Sequence, residues 1–503
     1  MSGILQAIGR QPDGLLGVYT ILYLAALAWL AWPAARRADG VWHLLGAACL
    51  LAIATHRLRD PWWFQHDFNG ALAALGARNV VRLGLAYTHG LDLWNGGAAE
   101  PLVPRYYAHH PPLSTWLLVP SVWLLGAREW LIRLARLLPM LAALGLLFRT
   151  LKQRGVVTGP LGWALLAAMP AVAFYSRSVG YEPTGMTGCI LLTALALHPA
   201  PGRWAKPAAF ILGAFLVLAG WSGMLFAALA ILVFALGRRW SLALPLAAGS
   251  LAGGLLLLTL LGRHYHWDVQ PLLDQFGRRS AGSASEAGPI SSTASWIKQV
   301  VGRHLWTLIG LAPIVLALAG LRFVGRSGWA RTVVWLLASA TALLLILRQW
   351  SFVHEYAVCH LALPILLLGL LALLRLSSGP RRRLRLAAAA LLLGVGLWSG
   401  LAETSLRYRR LVGFEHDRRM GVLAGRLTGP EDVLLLEDAI PSPVFLYYAD
   451  RDFIIWPHPL LDAGYRPRAY IQMARPPAKD TPLHAFLESY ERDPTARRIW
   501  LRK

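Results

Sequence analysis

The chain has 503 residues, of which 56% are hydrophobic and 15% are charged, and its formal net charge is +23. Soluble globular proteins have about 45–50% apolar and about 25% charged residues, so this composition excludes an ordinary water-soluble enzyme. The 22 tryptophans and the long Leu/Ala runs exclude a disordered chain. Three cysteines, Cys49, Cys189 and Cys359, lie in apolar stretches without CxxC spacing, which indicates small core residues and neither a disulfide framework nor a zinc site.

Apolar runs predict a polytopic helical membrane protein with about twelve spans. The predicted spans are residues 15–33, 41–56, 130–148, 157–175, 183–198, 207–220, 223–237, 241–261, 304–320, 329–347, 357–375 and 384–402. Residues 113–126 are short for a crossing and contain Pro120, so we interpret them as a re-entrant or interfacial segment. We retain the first span because no signal-peptide cleavage pattern follows it.

The basic residues collect in short loops between apolar runs, as at Arg238–Arg239 and residues 381–385. This pattern is typical of cytoplasmic loops of a multi-pass protein and predicts contact with membrane lipids, with no nucleic acid partner. Threading the chain by this rule places a first outer loop at 57–129 and a second at 262–303, both on the side of the membrane opposite the basic loops. A transmembrane domain is therefore predicted over residues 1–402.

Charge returns in the tail, residues 403–503, where the apolar runs shorten. Strand-like runs lie near 432–437, 453–456, 469–473 and 498–501, and helical spacing lies near 483–492. These patterns predict a small extracytoplasmic α/β domain. It has no GxGxxG or P-loop motif, which favours a packing or acceptor-docking role.

The first outer loop offers a carboxylate at the start of a helix. After Asp67, apolar residues recur at i, i+3, i+4 and i+7 from Phe68 to Leu75, which predicts an amphipathic helix along the membrane surface. Aspartate at such a position either caps the helix or points into a site, and both interpretations stay open.

The same loop continues as RYYAHHPPL over residues 105–113. Two histidines before Pro-Pro make a rigid corner rich in hydrogen-bond donors. Ordinary interfacial aromatic and histidine residues would give the same pattern, and so would a metal site with a third ligand.

Two further polar points fall on the outer side of the predicted topology. Glu182 lies at a helix boundary, where a carboxylate is costly unless it is paired or functional, and Arg177 is a candidate partner. Residues 348–356 (RQWSFVHEY) combine charge and aromatic rings, as either a salt-bridged cap or a site. Because all these points share one face of the membrane, they predict a single outward-facing site.

The order of these motifs resembles the family-39, GT-C-type glycosyltransferases, which include protein O-mannosyltransferases and the aminoarabinose transferases of lipid A. The likeness covers roughly residues 41–375. It departs at Phe68, where many relatives have a second acidic residue, and at His110, where the aminoarabinose branch has lysine. The 262–303 loop is also too short for the repeat domain of the mannosyltransferases.

The resemblance implies an inverting transfer of a sugar from a polyprenyl-phosphate donor to a hydroxyl or phosphate acceptor on a glycan, lipid A or protein. Asp67 would be the general base and Glu182 the second catalytic carboxylate. Further residues are predicted to bind the donor or the substrate. The donor-phosphate and lipid group is His109, His110, Arg105, Arg263, Arg278 and Arg279, and the substrate group is Tyr107, His354, Glu355 and Tyr356.

We predict no cofactor. Some relatives use a divalent metal, but the first loop has no Asp-x-Asp pair. Two other functions remain open from the sequence. A transporter or flippase would need ionisable groups near the bilayer midplane and repeated halves. A non-catalytic component of surface-polysaccharide assembly would use the tail for docking.

Overall fold

The computed structural model describes most of the chain beyond residue 47. The described residues are 48, 50–62, 64, 66–97, 100–156, 159–199, 202–268, 270–281, 292–325, 327–377, 382–410, 413–437, 440–472, 482–494 and 498–502. The predicted span 15–33, the first half of 41–56 (residues 41–47) and Cys49 lie outside this part.

The first outer loop contains helix α1, a two-stranded antiparallel hairpin and two short helices. These elements are α1 (Asp67–Tyr87), β1 (Asp92–Leu93), β2 (Tyr106–Tyr107), α2 (Leu113–Trp116) and α3 (Val119–Leu125). Trp123, Leu124 and Leu125 on α3 are exposed, as an interfacial segment requires.

Long apolar helices follow. They are α4 (Glu129–Gln153), α5 (Gly159–Ala167), α6 (Pro170–Ala173), α7 (Tyr181–Leu197), α8 (Ala205–Ala219), α9 (Trp221–Leu236), α10 (Trp240–His264), α11 (Gln270–Ala281), α12 (Thr293–Gln299), α13 (Leu311–Val324), α14 (Ala330–Ile346), α15 (Arg348–Val353), α16 (Ala362–Leu376) and α17 (Arg382–Arg410). Three-residue and seven-residue 3₁₀ turns lie at Tyr175–Arg177 and Glu355–Leu361.

Fewer helices of the described residues meet the length and apolarity needed to cross a membrane than the roughly twelve spans that the sequence predicts. Four helical segments of the described residues are long and apolar enough to cross a membrane, and a fifth forms if the bent pair Thr293–Leu308 and Leu311–Val324 counts as one span. That pair is bent by 101°, with Gly310 at φ 87 between its halves. Several predicted spans therefore correspond to shorter apolar helices such as α8, α9 and α14.

Helices α8 and α10 cross at very short distance. A Cβ at Gly249 would lie 1.8 Å from the carbonyl oxygen of Phe210, and one at Gly213 would lie 2.3 Å from that of Leu246. Gly249 and Gly253 are four residues apart, which is the small-residue spacing that permits close helix packing in membranes. This crossing forms one wall of the cavity described below.

The tail folds into an α/β module over residues 413–502. Its elements are α18 (Glu415–Leu427), β3 (Val433–Glu437), α19 (Pro443–Ala449), β4 (Asp452–Trp456), α20 (Pro459–Asp462), β5 (Ala469–Ile471), α21 (Pro482–Phe486), β6 (Tyr490–Arg492) and β7 (Ile499–Arg502). The sheet order is β4-β3-β5-β7-β6, parallel among the first three strands and antiparallel beyond. Helix α17 runs on to Arg410, across the predicted domain boundary at 403.

Candidate active site

A cavity of about 780 Å³ opens between the helices of the membrane region. Its walls come from α9, α10, α11 and α14 and are mostly apolar, with Leu257, Leu343 and Phe276 among the lining residues. Ligand cavities of about 300–1,000 Å³ hold small organic ligands, so the space suits part of a long apolar chain. Gly254 lines the cavity, and a Cβ added there would meet open space.

One end of this cavity is polar. Glu182 at the start of α7, Arg279 on α11 and the two histidines His109 and His110 line it together. Arg279 is the lining residue with a permanent positive charge among those that the structure describes. Its Nη1 donates a hydrogen bond to Nε2 of His354 at 2.9 Å, so a residue from the 348–356 segment supports it.

His110 offers a hydrogen bond and not a charge. Burial, together with the nearby Arg279 and His109, lowers the pKa of His110 to about 3. Its ring stacks on Tyr181 with 4.1 Å between centroids and on Tyr107 with 5.9 Å between centroids. The neutral imidazole is therefore held in a fixed orientation at the cavity wall.

A buried carboxyl supports this stack from behind. The hydroxyl of Tyr181 donates to Oδ2 of Asp92 at 3.3 Å. Burial raises the pKa of Asp92 to about 7, although the Tyr181 hydrogen bond acts in the opposite direction.

A second cavity of about 20 Å³, room for a water or two, lies beside the first. His66, Asn69, Tyr175, Tyr356 and Glu182 are among its lining residues. Glu182 therefore lies where the two cavities meet.

An ion-pair network forms one wall of the small cavity. Oε1 of Glu355 accepts from the Tyr175 hydroxyl at 2.9 Å and lies 3.3 Å from Nε2 of His66. Arg407 on α17 pairs with the same carboxylate and also with Glu403 at 2.9 Å. Oε1 of Glu355, a residue that the sequence predicts to bind substrate, is thus engaged by three protein groups.

Asp67 lies in the first turn of α1 and its side chain is 14% exposed. Its Oδ2 accepts from the backbone N–H of Phe64 at 3.0 Å and pairs with Nη2 of Arg133 at 3.1 Å. Its carboxylate is not among the groups lining the two cavities, but Asn69, two residues on, lines the small one. The structure therefore brings Glu182 and His110 to one cavity but does not place Asp67 in the lining of either, although the preceding residue His66 lines the small one.

Three predicted donor-binding arginines do not line either cavity, although Arg278 lies close enough for its charge to lower the pKa of the lining residue His109. Arg105 lies over the ring of Phe453 in the α/β module, 5.5 Å from its centroid, and the side chains of Arg263 and Arg278 are exposed. Arg279 alone of the predicted arginines lines the large cavity, because successive residues of a helix point about 100° apart.

The sequence patterns did not predict several residues that lie in or near the site. His66 precedes Asp67 directly, while Asp92, Arg133, Tyr175 and Arg407 come from four separate elements. A charged residue within an apolar helix, as at Arg133, is the one signal that could have indicated such a role. No group of three His, Cys, Asp or Glu residues in the described part of the chain is arranged to hold a metal ion.

These features define a helical membrane protein with a GT-C fold, as the sequence motifs predicted. The chain is similar to the structure of ArnT from Cupriavidus metallidurans bound to undecaprenyl phosphate, with a TM-score of 0.65 and 13% identity over 92% of this chain and 98% of that chain. The apo form of the same protein gives a TM-score of 0.60 at 14% identity over the same shares. The Archaeoglobus fulgidus oligosaccharyltransferase, in complex with zinc and sulfate, gives 0.52 at 14% identity over 82% of this chain and 62% of that chain. No protein-family model and no curated protein matches the sequence.

Proposed function

We propose that the protein is a membrane glycosyltransferase that moves a sugar from a polyprenyl-phosphate donor to an acceptor at the outer face of a bacterial inner membrane. The single observation that carries this proposal is the apolar cavity of about 780 Å³ that ends at Glu182, His110 and Arg279. An apolar channel with a cationic and donor-rich end matches a lipid tail with a phosphate head. One structural neighbour was solved with undecaprenyl phosphate bound, which supports this class of donor.

The polar end suits a leaving phosphate. Arg279 would neutralise phosphate charge and neutral His110 would donate a hydrogen bond, so the leaving group would depart without a strong acid. The sugar would lie between the phosphate-binding residues His110 and Arg279 on one side and Glu182, where the two cavities meet, on the other.

We propose Asp67 as the general base. It would accept the proton of an acceptor hydroxyl as that oxygen attacks the anomeric carbon opposite the phosphate, which inverts the configuration. Arg133 would stabilise the negative charge of Asp67 before the reaction, and Glu182 would orient the sugar or acceptor at the cavity junction.

The test uses the purified full chain in lipid nanodiscs with undecaprenyl-phosphate mannose, glucose and 4-amino-4-deoxyarabinose as separate donors. We expect one of them to release undecaprenyl phosphate and to give a product of inverted configuration with glycerol or methyl phosphate as acceptor. Movement of an intact donor across a vesicle bilayer without cleavage of any of the three would instead support a transporter. Neither cleavage nor movement would support an assembly component.

A further inference from the structure

The α/β module contacts the first outer loop through charged anchors. Directly after α19, Asp450 accepts from Nη1 and Nη2 of Arg82 at 2.7 and 2.6 Å and pairs with Arg78 at 3.1 Å. Arg78 and Arg82 are one turn apart on α1, the helix that begins at Asp67. The module is therefore fixed to the helix that carries the proposed base.

From this anchor, one chain of contacts leads to Asp67. The Tyr448 hydroxyl accepts the backbone N–H of Trp62 at 2.8 Å and donates to Glu129 at 2.7 Å. The buried Trp62 ring lies under the guanidinium of Arg133, 4.2 Å from its centroid. Arg133 in turn pairs with Asp67. We call this series the base arm.

Trp62 cannot move freely between these neighbours. A Cβ at Gly70 would lie 2.8 Å from the Trp62 ring, so the ring packs directly on the backbone of α1. Arg133 also donates to the carbonyl oxygens of Pro61, Leu58 and Asp60. A shift of Trp62 would therefore displace the guanidinium that holds Asp67.

A second chain of contacts leads to His110. Nε1 of Trp94 donates to the carbonyl oxygen of Pro441 at 3.2 Å, and the Trp94 ring meets Tyr107 edge-on with 5.2 Å between centroids. Tyr107 then stacks on His110. We call this series the phosphate arm.

The backbone between the arms is also fixed to the module. Nδ2 of Asn95 donates to Oδ1 of Asp452 at 2.7 Å, and the N–H of Leu102 donates to Oδ2 at 2.7 Å. At Gly96, a Cβ would lie 2.8 Å from both N and O of Arg451. The backbone of the loop therefore contacts the backbone of the module directly before strand β4.

We propose that the α/β module is a positioning element of the active site, which orients Asp67 through Tyr448 and His110 through Trp94. This inference rests on the proposed function, and it assigns the module a part in the reaction in place of a packing or acceptor-docking role alone. The base arm ends at Asp67 and the phosphate arm at His110. A substitution in the base arm should therefore change mainly kcat, and one in the phosphate arm mainly the donor KM.

The test compares Tyr448→Phe and Trp94→Phe in the full chain, with the donor that the parent cleaves. For Tyr448→Phe we expect kcat to fall about tenfold to a hundredfold with the donor KM unchanged, because small misplacement of a catalytic group costs up to about 10²-fold. For Trp94→Phe we expect the donor KM to rise about threefold to tenfold, the factor that one lost hydrogen bond gives, with kcat retained.

Matched controls lie within the same module. Tyr490→Phe removes a buried hydroxyl that donates to Pro467 at 2.7 Å, and Trp456→Phe shortens a ring that packs on Phe486. Both remove comparable contacts without touching either arm, so both kinetic parameters should stay within twofold of the parent. Melting temperatures of all four variants in the same nanodiscs exclude unfolding as the cause of a loss.

The inference is overturned if each arm variant matches its control, or if the two arm variants change kcat and KM in the same ratio. A parent that cleaves none of the donors overturns the proposed function, and the positioning role with it. An active parent with unaffected arm variants overturns the positioning role alone.

Discussion

Arg133 and Asp67 form an ion pair in which the guanidinium is almost completely buried and the carboxylate remains slightly exposed, with 3.1 Å between Nη2 and Oδ2. Arg133 belongs to α4 and Asp67 to the first outer loop, so the pair joins the membrane region to the loop that carries the proposed base. Together with the hydrogen bond from the N–H of Phe64, the pair fixes the direction of the carboxylate.

Replacing Asp67 by asparagine tests the base directly. The amide oxygen can still accept from Arg133 and from the N–H of Phe64, so we expect the protein to fold and insert normally. Loss of the proton acceptor should lower kcat by about 10²–10⁴-fold, which is the usual contribution of a general base. The measurement is the kcat of donor cleavage by Asp67→Asn, compared with that of the exposed control Asp462→Asn. Activity of Asp67→Asn within a few-fold of the parent would show that Asp67 is not the general base.

Arg279 is expected to control donor affinity. Arg279→Gln removes the positive charge at the polar end of the large cavity and leaves the apolar walls intact. A charged hydrogen bond contributes about 1.5–3 kcal/mol, so the donor KM should rise by more than tenfold. The exposed Arg303→Gln serves as the matched control. Equal donor KM values for the two variants would contradict the phosphate site.

Filling the large cavity should exclude the lipid tail. Gly254→Leu places a side chain in the open space of that cavity, so folding should be preserved while the donor KM rises at least tenfold. Gly145→Leu is a suitable control, because a side chain there also meets no neighbour and lies on another helix. Binding of undecaprenyl phosphate to each variant, measured by native mass spectrometry, tests this independently of catalysis. Undiminished binding to Gly254→Leu would place the lipid elsewhere.

Asp92 should make stability depend on pH. Its folded-state pKa of about 7 lies above the ordinary value of 3.8, so the folded protein binds this proton more tightly than the unfolded chain. Between these values the free energy of unfolding falls as pH rises, and above about 7 the full cost of burying the charge remains. Asp92→Asn removes this cost, so its melting temperature relative to the parent should be higher at pH 8 than at pH 5. If the melting temperatures of Asp92→Asn and the parent differ by the same amount at pH 5 and at pH 8, Asp92 is not a buried titrating carboxyl.

The patterns of the tail predicted its strands closely. The runs near 432–437 and 453–456 lie on β3 and β4, because continuous apolar runs of about five residues fit buried parallel strands. Composition also predicted the apolar helices, as for 130–148 within α4 and for 183–198, which α7 covers up to Leu197. The bend at Gly310 was not predicted, since packing and not local propensity decides where an apolar run breaks. The short helices α2 and α3 lie in the predicted re-entrant or interfacial segment 113–126.

By itself, the sequence predicted a polytopic membrane protein with an α/β tail, and it showed which segments between the apolar runs carry polar groups. Apolar periodicity and local motifs express these properties within about twenty residues, so they can be read without a fold. Only the tertiary structure decided that Arg279 and not Arg278 faces the cavity, that Glu355 is engaged by Arg407, and that Tyr448 reaches the loop of Asp67. Those contacts join residues from 52 to 386 positions apart. They depend on how helices pack and rotate against one another, and no local pattern encodes that.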